Sequence, residues 1–217
     1  MKKILIATNN KGKVKEFQEL LKGLPFELVT PAEIHLSLEV EENGANYIEN
    51  AAKKARAFAQ ASGLIALADD SGLEVDALNG APGLYSARYH PKPGASDAER
   101  RAYLIENLQG KPRPWTAHFH ATIAIAFPAN AESEVSDFGA KTEGFALPKI
   151  YFAEGDCYGE IIPEERGANG FGYDPIFLFP ELNQTMAELD MEAKNRLSHR
   201  AKAAMNAIPM LKSKLSA

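Results

Sequence analysis

The chain has 217 residues, 45% of them hydrophobic and 24% charged, ordinary values for a globular protein of one α/β domain, or of two lobes sharing one core. Its formal net charge of −5 gives no general pull on nucleic acid or anionic lipid, so a polyanionic ligand has to be held by local Lys, Arg and metal. Cys157 is the only cysteine, which excludes an intrachain disulfide and a cysteine zinc cluster and fits a reducing compartment.

Residues Lys3–Ala7 read as a buried strand that ends in the polar run Thr8-Asn9-Asn10-Lys11-Gly12-Lys13. That apolar run is too short for a signal segment, and none approaches the roughly 20 residues of a membrane span, so a cytoplasmic protein is expected. A helix follows with Val14, Phe17, Leu20 and Leu21 on one face, closing near Gly23 and Pro25. Beyond the acidic loop Glu39–Gly44, an Ala-rich helix from about Tyr47 to Ser62 ends at Gly63, a C′ glycine. Leu64–Ala68 is a short apolar strand running into Asp69-Asp70-Ser71-Gly72, whose carboxylates are expected to project from the sheet edge. Ser96-Asp97-Ala98-Glu99 is a capping box opening a helix to about Leu108. Thr116–Phe127 alternates Ala117, Phe119, Ala121, Ile123 and Ile125 with His118, His120 and Thr122, the clearest strand pattern in the chain. Val135–Ile162 predicts further strands separated by Gly-rich turns, and a C-terminal helix carries Leu197, Ala201, Ala204, Ile208, Leu211 and Leu215, with Pro209 kinking or interrupting it. No repeat or long linker divides the chain, so residues 1–217 are taken as a single domain. Long antiparallel strands mixed with helices predict mixed α/β rather than a purely doubly wound sheet.

Strand, polar loop and helix start together make a phosphate cradle, because loop amides and the helix N-terminus face the anion. Thr8 and Asn10 offer hydrogen bonds to phosphate oxygens and Lys13 a positive charge. The loop is not a Walker A motif, which needs glycine at Ala7 and Ser or Thr at Val14. Equally, it reads as an ordinary helix start with lysines in water. Adjacent carboxylates at Asp69 and Asp70 repel, and a bound Mg²⁺ relieves that repulsion. A carboxylate beside such an ion also serves as a general base. A strand-to-turn transition uses the same residues, and Glu39, Glu41 and Glu42 read alike as a solvated acidic loop. In Asn169-Gly170-Phe171-Gly172-Tyr173-Asp174-Pro175 the glycines clear space around an aromatic ring able to stack on a nucleobase; the alternative is a turn with Phe171 in the core. Lys194, His199 and Arg200 gather near a helix start with Ser198 as N-cap, suiting a carbonyl or phosphate oxygen, or forming a solvated basic face. His118-x-His120 lacks a third metal ligand in sequence, Cys157 has no His nearby in sequence, and Ser86 and Ser198 lack a nucleophile-elbow context.

Taken together, the segments resemble the inosine triphosphate pyrophosphatase family, the non-canonical purine nucleoside-triphosphate pyrophosphatases. The matching pieces are Thr8-x-Asn10-x-x-Lys13-x-x-Glu16, Glu42-Asn43-Gly44 through Glu49-Asn50-Ala51, Ala68-Asp69-Asp70-Ser71-Gly72-Leu73, Gly80 through Arg88, Gly170-Phe171-Gly172-Tyr173-Asp174-Pro175 and Ser198-His199-Arg200. They occur in the family's order along nearly the whole chain, and Phe138–Glu154, where the match is weakest, reads as an enlarged loop or hairpin.

The resemblance implies an elongated mixed sheet flanked by helices, two lobes with a substrate cleft between them, and a homodimer. Carried over by position, Thr8, Asn9, Asn10, Lys11, Gly12 and Lys13 hold the triphosphate; Glu42 and Asp70 bind Mg²⁺; and Asp70 accepts the proton of the attacking water. Ser71, Phe171, Gly172, Tyr173, Asp174, Lys194, His199 and Arg200 form the substrate and base pocket, with Lys54 as a further phosphate contact. The implied reaction is Mg²⁺-dependent hydrolysis of ITP, dITP or XTP to the monophosphate and pyrophosphate, cleansing the nucleotide pool. Donors from Lys194, His199 and Arg200 favour a 6-oxo purine, since the 6-amino group of adenine leaves buried donors unpaired. Competing readings are a hydrolase of modified pyrimidine nucleotides and a non-catalytic nucleotide sensor. Net charge and the lack of a basic aromatic stripe disfavour nucleic acid as a partner.

Overall fold

A computed structural model describes residues 2–128 and 149–215. The Ile4–Ile6 run and the parallel pairing it enters determine the first half of the fold. Strand β1 (Lys2–Ile6) pairs in parallel with both β2 (Phe26–Val29) and β3 (Ile65–Val75), with Leu5 opposite Val29 and Ala66. Parallel neighbours need crossover connections, and helices α1 (Lys11–Leu20) and α2 (Tyr47–Ser62) supply them. The second half is antiparallel where its pairings are defined. Strand β5 (Ile150–Ile161) pairs with β6 (Phe177–Phe179), and β6 with β7 (Gln184–Thr185). With β4 (Trp115–Ala126) in place, the sheet has seven strands in the order β2-β1-β3-β4-β5-β6-β7. Helices α3 (Asp97–Leu108), α4 (Met191–Leu197) and α5 (His199–Leu215) complete the α/β fold. Among the described residues no helix is long and apolar enough to cross a membrane.

The described residues fall into two compact units. Those within Met1–Asp70, Thr122–Ala153 and Ala207–Ala217 form the first, and those within Ser71–Ala121 and Glu154–Asn206 the second. The first core is alanine-rich, with Ala51, Ala55 and Ala59 of α2 packed with Leu5, Ala66, Ala68, Ala124 and Ala126 around Phe58. Small side chains let a helix lie close to a sheet. The second core is aromatic: Trp115, Phe119, Tyr173, Phe177 and Phe179, with Leu73, Leu104, Leu108 and Ile176.

Local signals held where they are self-contained. Asn46 caps α2 through the Glu49 amide and Gly63 closes it at φ 68°. Ser96 and Glu99 form the reciprocal capping box of α3. Strand β4 alternates as far as Ala121, then becomes buried on both faces, Thr122 included.

Four expectations need correction. Asp69-Asp70-Ser71-Gly72 does not follow a strand or lie at a sheet edge: it lies inside the 11-residue β3, between β1 and β4 in the sheet order. Gly155 and Gly159 do not mark turns but sit within the 12-residue β5. A Cβ on Gly155 would overlap the backbone of His199 and Ala203 in α5, and one on Gly159 would overlap Leu178 O and the Phe177 ring, so both glycines mark close approach. The C-terminal apolar pattern is not one helix: Ser198 ends α4 and Leu197 belongs to that shorter helix. Helix α5 then continues through Pro209 instead of breaking there. Strands β2, β6 and β7 were not anticipated, being only 4, 3 and 2 residues long. The expected strands and turns at 135–148, and the enlarged segment from 138 to 148, lie outside the described residues.

Candidate active site

In the first unit, strand β1 ends at Ile6 and the chain turns through Thr8 and Asn10 into α1. Thr8 Oγ1 accepts the Asn10 amide at 3.2 Å, and Asn10 Oδ1 accepts the amides of Gly12 at 2.9 Å and Lys13 at 3.2 Å. Asn10 is thus the N-cap of α1, and two of the amides expected to face an anion are already answered by its side chain. Asn9 and Lys11 are exposed. Lys13 reaches back over the middle of β3, its ammonium 2.7 Å from Asp69 Oδ2 and 3.5 Å from the Asp69 carbonyl.

The acidic loop is held against α2 by an amide. Asn50, buried at the start of that helix, accepts the Gly44 amide at 2.7 Å, and a side chain at position 44 would overlap it. This contact brings Glu42 over α2, where Lys54 donates to Glu42 Oε1 at 2.6 Å, to the Asp69 carbonyl at 2.7 Å and to Asp70 Oδ1 at 3.3 Å. Burial works against the Lys54 charge, but Asp70, Glu42 and Asp69 together outweigh it and hold the ammonium above its ordinary pKa. For Asp70 the balance goes the other way. Burial and the Glu42 charge push its pKa up, against the opposing pull of Lys54, Lys13 and an Asn50 hydrogen bond.

The centre therefore gathers three carboxylates, Glu42, Asp69 and Asp70, around two ammonium groups, Lys13 and Lys54. Asp70 Oδ2 is buried with no hydrogen-bond partner among the described residues. An orphaned carboxylate oxygen at the edge of a negative excess fits a divalent cation. No group of three or more His, Cys, Asp or Glu arranged to hold a metal occurs among the described residues.

The second unit holds the remaining candidates. Gly170 and Gly172 have φ of 77° and 62°, conformations that favour glycine, and they bracket Phe171. Asp174 Oδ2 accepts the Phe171 amide at 2.9 Å and the Lys194 ammonium at 2.7 Å. Lys194 and Arg200 both lie over the Phe171 ring, at 5.3 and 5.6 Å from its centroid. Ser198 caps α5 through the Ala201 amide at 3.2 Å. His199 stacks on Phe119 with centroids 4.7 Å apart, and Arg200 donates to Ser71 Oγ at 2.9 Å. Lys194, His199 and Arg200 are all buried, so the solvated basic face is ruled out. Phe171 is half-buried rather than a core residue, while Tyr173 is buried and donates its hydroxyl to the Ser86 carbonyl at 2.9 Å.

Other expected features have structural partners. His120 Nδ1 lies 2.7 Å from Asp156 and His118 Nε2 lies 3.6 Å from Glu74. Burial pushes the Cys157 thiol up to about 12, and its sulfur is 3.9 Å from His199 Nδ1, a neighbour invisible in sequence. Ser86 accepts the Leu73 amide and donates to the Gly83 carbonyl. Sequence reasoning missed what Asp69 and Asn50 contribute: the first anchors Lys13 and the second sets the Glu42 loop. The Gly44–Asn50 spacing is a usable signal only once that hydrogen bond is known.

The Ham1 family model matches residues 4–210. A dITP/XTP pyrophosphatase of Desulforamulus reducens is 48% identical over 210 residues, covering 96% of this chain and 95% of the relative. One from Geobacter sulfurreducens is 44% identical over 204 residues, 94% of this chain and 93% of that protein. The solved structure of a HAM1 protein from Coxiella burnetii superposes with a TM-score of 0.80 at 39% identity, covering 98% of this chain and all of that one. The resemblance carried by the ordered motifs is thereby borne out, and this chain belongs to the Ham1 family.

Proposed function

We propose that this protein is a Mg²⁺-dependent nucleoside-triphosphate pyrophosphatase that hydrolyses ITP, dITP and XTP to the monophosphate and pyrophosphate, acting on the nucleotide pool as a homodimer in the cytoplasm. The observation that carries the reading is Asp70: a buried carboxylate, pushed up in pKa, with one orphaned oxygen among Glu42, Lys13 and Lys54. The names of the relatives support the substrate class.

Glu42 and Asp70 are the groups to hold the divalent ion. When bound, it supplies positive charge to a substrate of about −4 and lowers the pKa of the attacking water. Lys13 and Lys54 neutralise phosphate oxygens, exchanging their carboxylate partners for the substrate. Water attacks the α-phosphorus, the bond to the β-phosphate breaks, pyrophosphate leaves, and the Asp70 carboxylate takes the proton of the water. A carboxylate held above its ordinary pKa is suited to that proton. Phe171 stacks on the base, while Lys194, His199 and Arg200 supply donors that a 6-oxo purine satisfies and adenine does not.

The test is pyrophosphate release from ITP, XTP, GTP and ATP, with Mg²⁺ and after its removal by EDTA. Release from ITP and XTP that needs Mg²⁺ and far exceeds that from ATP is expected. Turnover undiminished after complete metal removal overturns the roles of Glu42 and Asp70. Sedimentation of the purified protein as a monomer at micromolar concentration overturns the homodimer.

A further inference from the structure

Two glycines in left-handed conformations ought to make the Phe171 loop the least constrained backbone of the second unit. Instead, helix α3 grips it. The Gly172 amide donates to Asp97 Oδ2 at 2.8 Å, and the Gly172 carbonyl accepts from Arg101 at 2.8 Å. These groups belong to the two successive peptide planes on either side of Gly172, so holding both fixes φ and ψ of Gly172 and the peptide plane to which Phe171 is attached. Asp97 and Arg101 are one turn apart on the same helix face.

The grip is itself braced. Arg101 forms a paired contact with Glu165, at 2.8 Å from Nε to Oε1 and 2.7 Å from Nη2 to Oε2. Its side chain is only 12% exposed despite this surface partner. Asp97 is also paired with Arg100. The capping box of Ser96 and Glu99 fixes the first turn of α3, placing Asp97 rigidly. Neither Asp97 nor Arg101 has a role in reading the base or binding phosphate in the function proposed above.

We infer that Asp97 and Arg101 are positioning residues that orient the Phe171 platform through the peptide planes of Gly172, and so set nucleotide affinity. The inference rests on the proposed function for its kinetic consequences, but the clamp itself does not. An accepting oxygen at position 97 is what matters, so Asp97→Asn, which keeps one, should rescue what Asp97→Ala loses. Arg101→Lys keeps the charge but cannot make the planar paired contact with Glu165 while also reaching Gly172.

The experiment compares wild type, Asp97→Ala, Asp97→Asn and Arg101→Lys by amide exchange at Gly172 and by steady-state hydrolysis of ITP. In Asp97→Ala, Gly172 exchange should accelerate by about tenfold or more. KM for ITP should rise roughly ten- to a hundredfold, the equivalent of one lost charge-assisted hydrogen bond, with kcat changed by less than about twofold. Asp97→Asn should lie near wild type in both readouts, and Arg101→Lys between it and Asp97→Ala. Unchanged Gly172 exchange in Asp97→Ala overturns the clamp. Faster exchange with unchanged KM overturns its effect on affinity. Equal losses in Asp97→Asn and Asp97→Ala, with kcat falling alongside, mean a damaged helix start and also overturn it. A wild type that releases no pyrophosphate from any purine nucleotide sinks the proposed function instead, and the exchange data then still decide the clamp.

Discussion

Asp69 and Asp70 are neighbours in one strand, and their substitutions should separate stability from chemistry. Asp70→Asn keeps the side-chain shape but cannot accept a proton, so kcat should fall roughly 10²–10⁴-fold while ITP still binds. Its stability should not fall. The folded-state pKa of Asp70 lies above the ordinary carboxylate value, so the native protein binds more protons than the unfolded chain as pH passes through that region. Stability attached to this group is therefore present at low pH and lost as pH rises through the window, and at neutral pH the ionised side chain works against the fold. Asparagine removes that penalty, and the metal-free variant should melt at or above the wild-type temperature. Asp69→Asn has the opposite profile. The Asp69 side chain is fully buried against Lys13, which keeps 16% exposure. Breaking a buried pair costs about 3–5 kcal/mol, and because Lys13 can turn toward water the lower end, about 3 kcal/mol, is expected. At about 2–4 °C per kcal/mol for a chain of this size, the melting temperature should drop roughly 6–12 °C. Calorimetry of both variants without metal, and pyrophosphate release at saturating Mg²⁺ below the melting range, provide the measurements. If Asp69→Asn were the inactive but stable variant, and Asp70→Asn the active but unstable one, the carboxylates would be exchanged in role.

Lys13→Ala should raise the KM for ITP far more than the dissociation constant of inosine, and equal losses for the two would remove Lys13 from phosphate binding. Arg200→Ala should narrow the preference for ITP over ATP by roughly ten- to a hundredfold, one lost charge-assisted hydrogen bond; equal damage to both substrates would move Arg200 off the base. Cys157, 1% exposed with a thiol raised to about 12, should resist alkylation at pH 8 until the protein is unfolded, and rapid labelling of the folded chain would contradict its placement. Gly155→Ala should destabilise the protein by about 1–3 kcal/mol, because the added methyl meets the backbone of α5; an unchanged melting temperature would show that the helix yields freely.

What could be read from sequence and what could not divide by the range of the interaction. The capping box at Ser96, the αL glycine at Gly63 and the alternation of β4 are settled within a few residues, and the structure contains them as expected. The candidate site residues were named for a different reason: they lie in ordered motifs. Their partners were not, since Lys13 meets Asp69 across 56 positions, Arg101 meets Gly172 across 71, and Arg200 meets Ser71 across 129. No local pattern encodes such pairs. The same limit hid the strand containing Asp69 and Asp70. Two acids, a serine and a glycine read locally as a turn, yet the strand runs on through them to the buried Leu73 and Val75.

Two of the buried aspartate–lysine pairs, one in each unit, differ in how completely they are satisfied. In the second unit Asp174 Oδ2 receives both the Lys194 ammonium and the Phe171 amide, and Gly170 leaves no room for a side chain against that oxygen. That carboxylate is satisfied, and its task is to hold a lysine and a loop in place. In the first unit Lys54 is shared between Glu42 and Asp70, the Asp70 contact is the longer at 3.3 Å, and the other Asp70 oxygen has no hydrogen-bond partner among the described residues. A fold selected for stability alone would close such a pair or replace it with apolar side chains. Leaving one oxygen open in a buried, negatively charged centre makes sense when the missing partner arrives with the substrate. Under the proposed function, the complete pair in the second unit serves position and the incomplete pair in the first serves chemistry.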